Sequence, residues 1–186
     1  MNSPLSDIKD GYQFQQIIAE FFRSLKSEKH DYHIADIHVE DNGIGGDDGC
    51  DILVEFHFED AIYRHSQKWI VECKSQNKAV GPKDINTNNI DAIIRSKGAN
   101  GYLLVCRNDA TASLKRIFQS RNNESQHKYV IWNGNQLWHK FIRSLSLIQA
   151  FFPEYYRVNY LNNNAAVNYE ELIKRFEKKL ITEEDK

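Results

Sequence analysis

The chain has 186 residues, of which 27% are charged and 12% are aromatic. This composition is typical of a folded domain with a hydrophobic core, and it excludes a largely disordered chain. The formal net charge is -2, which excludes a strong positive field over the whole molecule. A local basic patch is the remaining means of attracting nucleic acid.

The amino terminus and the cysteines bear on the cellular compartment. Residues 1–9 contain no apolar run, and no apolar segment reaches the ~18 residues that a membrane span needs. Cys50, Cys73 and Cys106 lie in apolar runs without C-x-x-C spacing, which favours buried free thiols over a metal or redox site. We therefore expect a cytoplasmic protein with no membrane segment.

The first half of the sequence predicts one helix followed by three strands. Apolar residues at helical spacing indicate an amphipathic helix, and β-branched alternation with a one-residue slip indicates a strand with a bulge or a late start. A segment with four glycines then precedes two further strands, which are joined by a polar connection and should pair antiparallel. The predicted elements are the helix Gly11–Leu25, the strand His33–Glu40, the glycine-rich turn 41–49, the strand Cys50–Phe58, the connection 59–67 and the strand Lys68–Ser75.

The second half alternates helices and strands. Lys97-Gly98 supplies a helix-ending pair, and short apolar strands follow on either side of a helix, which predicts a parallel crossover. A capping-box pattern at Asn168 and Glu171 opens a last helix. The predicted elements are the helix Asp84–Lys97, the strand Gly101–Arg107, the helix Thr111–Gln119, the strand Lys128–Trp132, the helix Asn135–Ile148 and the terminal helix from Asn168.

This order predicts an α/β fold with an αβββαβ core, in which a central mixed sheet is flanked by helices and extra helices follow at the carboxyl end. We expect residues 1–150 to form one domain. Residues 151–186 would form a helical extension that packs on this core or leads to a partner or regulatory domain.

Glu72 and Lys74 are the candidate chemical residues. Strand alternation places them on one face together with Gln76, and Asp51 opens the preceding strand directly after the glycine-rich turn. An E-x-K triplet alone is more often a solvated strand face with an incidental ion pair. For Asp51 to share the face of Glu72 and Lys74, it must lie opposite one of them, which requires an even-length or bulged connection.

Asp48-Gly49-Cys50-Asp51 followed by Glu72-Cys73-Lys74 resembles the PD-(D/E)xK nuclease superfamily, and most closely its Mrr-type restriction endonuclease branch. The resemblance extends from Gly11 to Leu145 and includes the order of elements. It implies a DNA endonuclease whose catalytic residues are Asp51, Glu72 and Lys74. Gln76 matches a frequent polar position of that branch, and an exposed polar strand end explains it equally well.

The chemistry of these residue types agrees with the resemblance. Mg²⁺, or Mn²⁺ in its place, prefers oxygen ligands and is usually held by one or two carboxylates plus water and phosphate oxygens. Asp51 and Glu72 can supply the carboxylates, and the backbone carbonyl of Cys73 can supply a third oxygen. Lys74 can orient the attacking water and stabilise the charge that develops on the phosphate.

The sequence departs from the family at the first helix. Many relatives place a glutamate after the helix phenylalanine, where this chain has Gln15 after Phe14, so binding of two metal ions is in doubt. Glu20 is the nearest acid on that helix, and it is more readily explained as a solvated residue. Asp47 and Asp48 precede the ligand position as turn-capping residues or as supports of the metal site.

Lys78 and Lys83 are basic residues near the motif that could contact nucleic-acid phosphates. We expect an antiphage defence or restriction role, with DNA as partner and a homodimer or larger oligomer, or a regulatory domain or subunit, as the assembly. Two alternatives are a DNA-binding or assembly module that keeps the nuclease fold with weak or no catalysis, and a nuclease that acts on RNA.

Overall fold

The structure is a computed structural model that describes residues 4–26, 34–43 and 49–161. Its centre is a five-stranded sheet in the order β1-β2-β3-β4-β5, with helices on both faces. The strands are β1 (Ile34–Asp41), β2 (Ile52–Glu59), β3 (Arg64–Lys74), β4 (Gly101–Cys106) and β5 (Lys128–Trp132). The α-helices are α1 (Gly11–Ser24), α2 (Ile90–Lys97), α3 (Ala112–Glu124), α4 (Gly134–Phe141), α5 (Leu145–Phe151) and α6 (Pro153–Tyr156), with a 3-10 turn at Pro4–Asp7 and a π-helical turn at Arg157–Leu161.

The sheet is mixed, as the sequence predicts. β1, β2 and β3 pair antiparallel, whereas β4 and β5 are parallel to β3. The register of β1 shifts between Ile34 and Asp36, which confirms the predicted bulge. The αβββαβ order and the flanking helices are therefore confirmed.

Alternating side chains divide the core into two layers. On one face, α1, α4 and α5 cover a cluster that includes Ile52, Val71 and Val105. On the other face, α2 and α3 cover a cluster that includes Ile70 and Leu104. Because successive strand residues point to opposite faces, this division also assigns a face to every residue of the predicted motif.

Several predicted boundaries are wrong; α3, for example, ends at Glu124 and not at Gln119. β3 begins at Arg64, so the polar stretch before Lys68 belongs to the strand, and the connection is only the four residues 60–63. Residues 64–66 are exposed, so polar side chains are tolerated at this end of the strand. The side chain of Asp60 accepts hydrogen bonds from the backbone N–H groups of Ile62 and Tyr63, which fixes this tight turn.

α2 begins at Ile90 and not at Asp84. The Asp84 carboxylate accepts a hydrogen bond from the Gly81 N–H at 2.7 Å, so it stabilises a turn rather than a helix start. Residues 82–89 form successive turns that lead into the helix. The predicted end is confirmed, since Gly98 adopts the left-handed conformation with φ 60°.

The predicted helix Asn135–Ile148 is two helices. Ser144 is fully buried, and its hydroxyl caps α5 by accepting a hydrogen bond from the Leu147 N–H. α5 then ends at Phe151, and Pro153 opens α6. The buried Phe152 and the ring of Tyr155 pack against Trp138, so the described part of the predicted extension lies on the core.

Some predictions concern residues outside the described ranges, namely Asp47, Asp48 and the terminal helix from Asn168. Among the described helices, none has the length and apolar character needed to cross a lipid bilayer.

Candidate active site

The site begins where β2 and β3 meet. Ile52 pairs with Val71, and continuing this register by one residue places Asp51 opposite Glu72, as the sequence predicts. The four-residue connection 60–63 provides the even length that this register requires. The backbone N–H of Asp51 donates to the Val71 carbonyl at 3.1 Å, and its carboxylate Oδ2 accepts from the Cys73 N–H at 2.6 Å.

Glu72 is almost fully buried, with 4% of its surface exposed. Its Oε1 lies 2.7 Å from the Nζ of Lys74, and its Oε2 accepts the hydroxyl proton of Tyr102. Tyr102 lies on β4 and is fully buried. The position of the carboxylate is therefore set from both sides, by a charged group at its open end and by a buried hydroxyl behind it.

The protonation equilibria reflect this burial. Removal from water raises the pKa of Glu72, and the nearby charge of Asp51 acts in the same direction, while Lys74 partly offsets both. Partial burial opposes the charge on Lys74, but the hydrogen bond and charge of Glu72 outweigh it and raise the pKa of Lys74. Lys74 is thus held as a cation beside two acidic groups.

An open cleft of about 570 Å³ gives access to Glu72 and Lys74. Glu72 and Lys74 form its floor, and Gly49, with φ 92°, contributes to its side. A side chain at position 49 would place its Cβ 3.4 Å from the Oε2 of Glu72, in van der Waals contact with the carboxylate. The rest of the wall comes from the turns before α2, in particular Pro82, Lys83, Asp84, Ile85, Asn86, Thr87 and Asn88.

Gln76 and Lys78 lie beyond the end of β3, which stops at Lys74. The side-chain amide of Gln76 donates to Asp84 Oδ2 at 3.2 Å, so it contacts the cleft wall. Lys78 is exposed and does not line the cleft, although its charge lowers the pKa of Asp84 as a minor contribution after the Gly81 and Gln76 hydrogen bonds. Of the two predicted phosphate-binding lysines, only Lys83 lines the cleft.

The two first-helix residues have different environments. Gln15 is 7% exposed, and its Nε2 donates to the Asp41 carboxylate at 2.6 Å and to the backbone oxygen of Asp51 at 3.1 Å. Glu20 is nearly half exposed and forms an ion pair with Arg23 on its own helix. Gln15 therefore lies next to the site, whereas Glu20 forms its ion pair outside it.

Sequence reasoning missed Tyr102 and Asp41. Tyr102 lies in a continuous apolar strand, where its hydroxyl needs a hydrogen-bonding partner, and that requirement was the available signal. Asp41 was assigned to the turn, whereas it is the last residue of β1. Across the described ranges, no three His, Cys, Asp or Glu residues form a cluster that could hold a metal ion.

Comparison with known proteins agrees with this fold. The family described as restriction endonuclease, of the Mrr catalytic type, matches residues 7–140. Among solved structures, the chain is similar to the DNA modification-dependent restriction endonuclease AspBHI, with a TM-score of 0.53 and 16% sequence identity. The alignment covers 82% of this chain and 37% of that protein, so the chain spans well under half of its length. No curated protein matches the sequence.

The mixed five-stranded sheet flanked by helices is a restriction endonuclease-like fold, which fits the PD-(D/E)xK superfamily. The chain belongs to the Mrr-type restriction endonuclease family.

Proposed function

We propose that the chain is an endonuclease that uses Mg²⁺ or Mn²⁺ to hydrolyse phosphodiester bonds of DNA in a restriction or antiphage system. The observation that carries the proposal is that Glu72 and Lys74 line one open cleft while Asp51 lies beside Glu72 on the neighbouring chain segment. Asp51 lies opposite Glu72, and the ammonium group of Lys74 lies 2.7 Å from Glu72 Oε1.

The donor set fits a divalent cation. Burial is the main cause of the raised pKa of Glu72, and the charge of Asp51 adds to it as a smaller contribution, so the two carboxyl groups repel each other and a cation between them would relieve that repulsion. Oxygen donors are the ligands that Mg²⁺ and Mn²⁺ prefer. Asp51, Glu72 and the backbone carbonyl of Cys73 are the groups that would hold the ion, with substrate and water oxygens completing its coordination.

A bound divalent cation supplies Lewis acidity, which draws charge from the scissile phosphate and makes a nearby water more acidic. The protein residues supply position and charge. Lys74 is held protonated beside Glu72, so it can donate to a phosphate oxygen or orient the attacking water. Tyr102 keeps the Glu72 carboxylate directed toward the cleft.

The cleft wall would contact the substrate backbone. Lys83 is exposed and lines the cleft, so it is placed to contact a phosphate, and Asn86 and Asn88 present neutral amides next to it. Lys78 would act farther along the same strand of DNA. Such contacts bind without regard to sequence and weaken as salt increases.

AspBHI is described as dependent on DNA modification, and this chain spans 37% of its length. We therefore propose only the cleavage step for the described residues. Cutting both strands of a duplex needs two active sites, so we further propose a homodimer or larger assembly on DNA, or activation by a regulatory domain or subunit.

The test is cleavage of supercoiled plasmid, linear duplex, single-stranded DNA and RNA with Mg²⁺, with Mn²⁺ and with chelator. The wild-type chain should cut DNA only when a divalent ion is present. Asp51→Asn and Lys74→Ala should each lower the rate by about 100-fold or more, because the first removes a charged ligand of the metal ion and the second removes the cation that would stabilise the reacting phosphate.

Lys68→Ala is the matched control. Lys68 shares the strand and the face of Lys74, has the same 29% side-chain exposure and also forms an ion pair, in its case with Glu55. It lies six residues from Lys74, which corresponds to about 20 Å along a strand. Normal cutting by Lys68→Ala with loss in Lys74→Ala would support the proposal.

Equal cutting by wild type and Asp51→Asn would contradict the proposal. Metal-independent binding of DNA without cleavage would instead identify a binding module, and preferential cutting of RNA would identify a ribonuclease. Size measurement in solution, with and without DNA, would test the proposed assembly.

A further inference from the structure

Gln15 is a nearly buried polar residue on the apolar side of α1, and three oxygen acceptors surround its amide nitrogen. Nε2 lies 2.6 Å from Asp41 Oδ1, 3.1 Å from the Asp51 carbonyl oxygen and 3.3 Å from the Gly43 carbonyl oxygen. These three residues belong to the end of β1, the segment after it and the residue before β2. A single side chain of α1 thus joins two neighbouring strand ends.

The chemistry of the three acceptors requires a donor at this position. A carboxamide nitrogen provides two N–H groups and no available lone pair, so it can donate to three oxygen acceptors when one N–H is shared, the Gly43 carbonyl at 3.3 Å being the most distant. A glutamate would place a second carboxylate against Asp41 and leave the carbonyls without this donor. An apolar side chain would leave a partly buried carboxylate and carbonyl groups short of a partner, which is unfavourable.

Asp51 needs support because it lies just outside the regular strand pairing. The paired residues of β2 begin at Ile52, and two residues before Asp51 the chain passes through Gly49 at φ 92°. The Asp51 carbonyl accepts hydrogen bonds from Gln15 and from the Asn42 N–H at 3.0 Å, whereas its N–H and carboxylate bind to β3. The backbone of Asp51 therefore forms hydrogen bonds with the segment after β1, with α1 and with β3.

We propose that Gln15 is a positioning residue that fixes the backbone of Asp51 and thereby the direction of its carboxylate. Gln15 acts through Asp51 and does not contact substrate. The proposal rests on the proposed nuclease function for its consequence in metal binding, but the structural link itself can be measured without metal or DNA.

The substitution Gln15→Met keeps the length of the side chain and removes its donors. The readout is hydrogen exchange of the Cys73 amide, because that N–H donates to Asp51 Oδ2 at 2.6 Å. We expect exchange at Cys73 to accelerate about tenfold, consistent with the loss of one hydrogen bond at a charged group, while the amide of Ile70 in mid-strand stays protected. Binding of Mn²⁺, followed by calorimetry, should weaken by about the same factor.

Gln16→Met is the matched control, since it makes the same change at the next position of α1 and Gln16 is only partly buried. It should leave Cys73 exchange and Mn²⁺ affinity unchanged.

A second pair of variants tests the chemistry of the bond with Asp41. Gln15→Glu should disturb Cys73 more than Gln15→Met does, and adding Asp41→Asn should partly restore protection because the donor and acceptor are exchanged.

Unchanged Cys73 exchange in Gln15→Met would overturn the proposal. Equal acceleration of exchange at Cys73 and Ile70 would also overturn the proposal. That result would show a general loss of stability and no specific effect of Gln15 on Asp51. If the wild-type chain neither binds Mn²⁺ nor cuts DNA, the proposed function fails, whereas selective loss of Cys73 protection would still support the link between Gln15 and Asp51.

Discussion

At the residue scale, the buried hydroxyl of Tyr102 is the contact that most directly controls the Glu72 carboxylate. Tyr102→Phe removes the donor to Oε2 and leaves a buried carboxylate short of a partner. We expect the free energy of unfolding to fall by about 1–3 kcal/mol, since the acceptor keeps its desolvation penalty. Urea unfolding would measure this change, and calorimetry should show weaker binding of Mn²⁺.

Tyr129→Phe separates the effect on stability from the effect on Mn²⁺ binding. The hydroxyl of Tyr129 also donates to a carboxylate, that of Asp91, at a place away from the cleft. This variant should lose stability while keeping the Mn²⁺ affinity of the wild type. If Tyr102→Phe binds Mn²⁺ as tightly as Tyr129→Phe does, Tyr102 has only a structural role.

The positions of Asp51, Glu72 and Lys74 could be predicted from sequence because strand alternation and register are local rules. The contacts of Gln15 and Tyr102 could not, because they depend on how α1 packs on the sheet and how β4 aligns with β3. A signal existed for Gln15, which is spaced three and seven residues from the buried Ile18 and Phe22. A polar residue at that spacing faces the core and needs a partner there.

At the element scale, the segment that enters β2 depends on Gly49. Gly49→Ala would strain a backbone at φ 92° and place a methyl group 3.4 Å from Glu72 Oε2. The left-handed conformation costs a residue with a Cβ roughly 1–2 kcal/mol. We therefore expect lower stability together with a marked loss of cleavage, measured by chemical unfolding and by the plasmid assay.

Gly98→Ala is the control for the effect of backbone strain alone. Gly98 also has a positive φ, at 60°, but a Cβ there meets nothing within 4 Å, and it ends α2 away from the cleft. It should lose a similar amount of stability and keep its cleavage rate. Equal loss of cleavage in both variants would mean that strain alone, and not crowding of Glu72, explains the effect.

Element boundaries were predictable where a residue type has one common structural role, and not where it has two. Lys97-Gly98 marks a helix end almost regardless of context. Asp84 is a good helix cap by type, yet here its carboxylate accepts from Gly81 and Gln76. Ser144 reads as a tolerated helix residue, whereas it is buried and begins a new helix.

At the scale of the whole molecule, topology followed from the order of elements because connection lengths and crossover rules leave few arrangements. The predicted division of the chain after residue 150 stays a prediction. We propose that the described residues from 151 to 161 are part of the nuclease domain and not a separate extension, since Phe152 is buried and Tyr155 packs on Trp138.

Tyr155 gives this packing a measurable pH dependence. Burial, followed by the neighbouring charge of Tyr160, raises the pKa of Tyr155 to about 12 from the ordinary 10.0. The folded state therefore keeps a proton that the unfolded chain loses, so the contribution of Tyr155 to stability is full below pH 10.0 and declines as the pH rises toward about 12. Because Tyr155 is only partly buried, the decline from this residue should be at most about 1 kcal/mol.

The difference in tyrosinate absorbance between wild type and Tyr155→Phe reports this ionisation directly. Its midpoint should lie well above 10, and urea unfolding should show a smaller loss of stability with rising pH in Tyr155→Phe than in wild type. The phenylalanine ring can keep the edge contact with Trp138, whose centroid lies 4.9 Å from that of Tyr155, so neutral-pH stability should change little. A midpoint near 10 would mean that water reaches the hydroxyl freely, and the segment from 151 to 161 would then be loosely attached to the core.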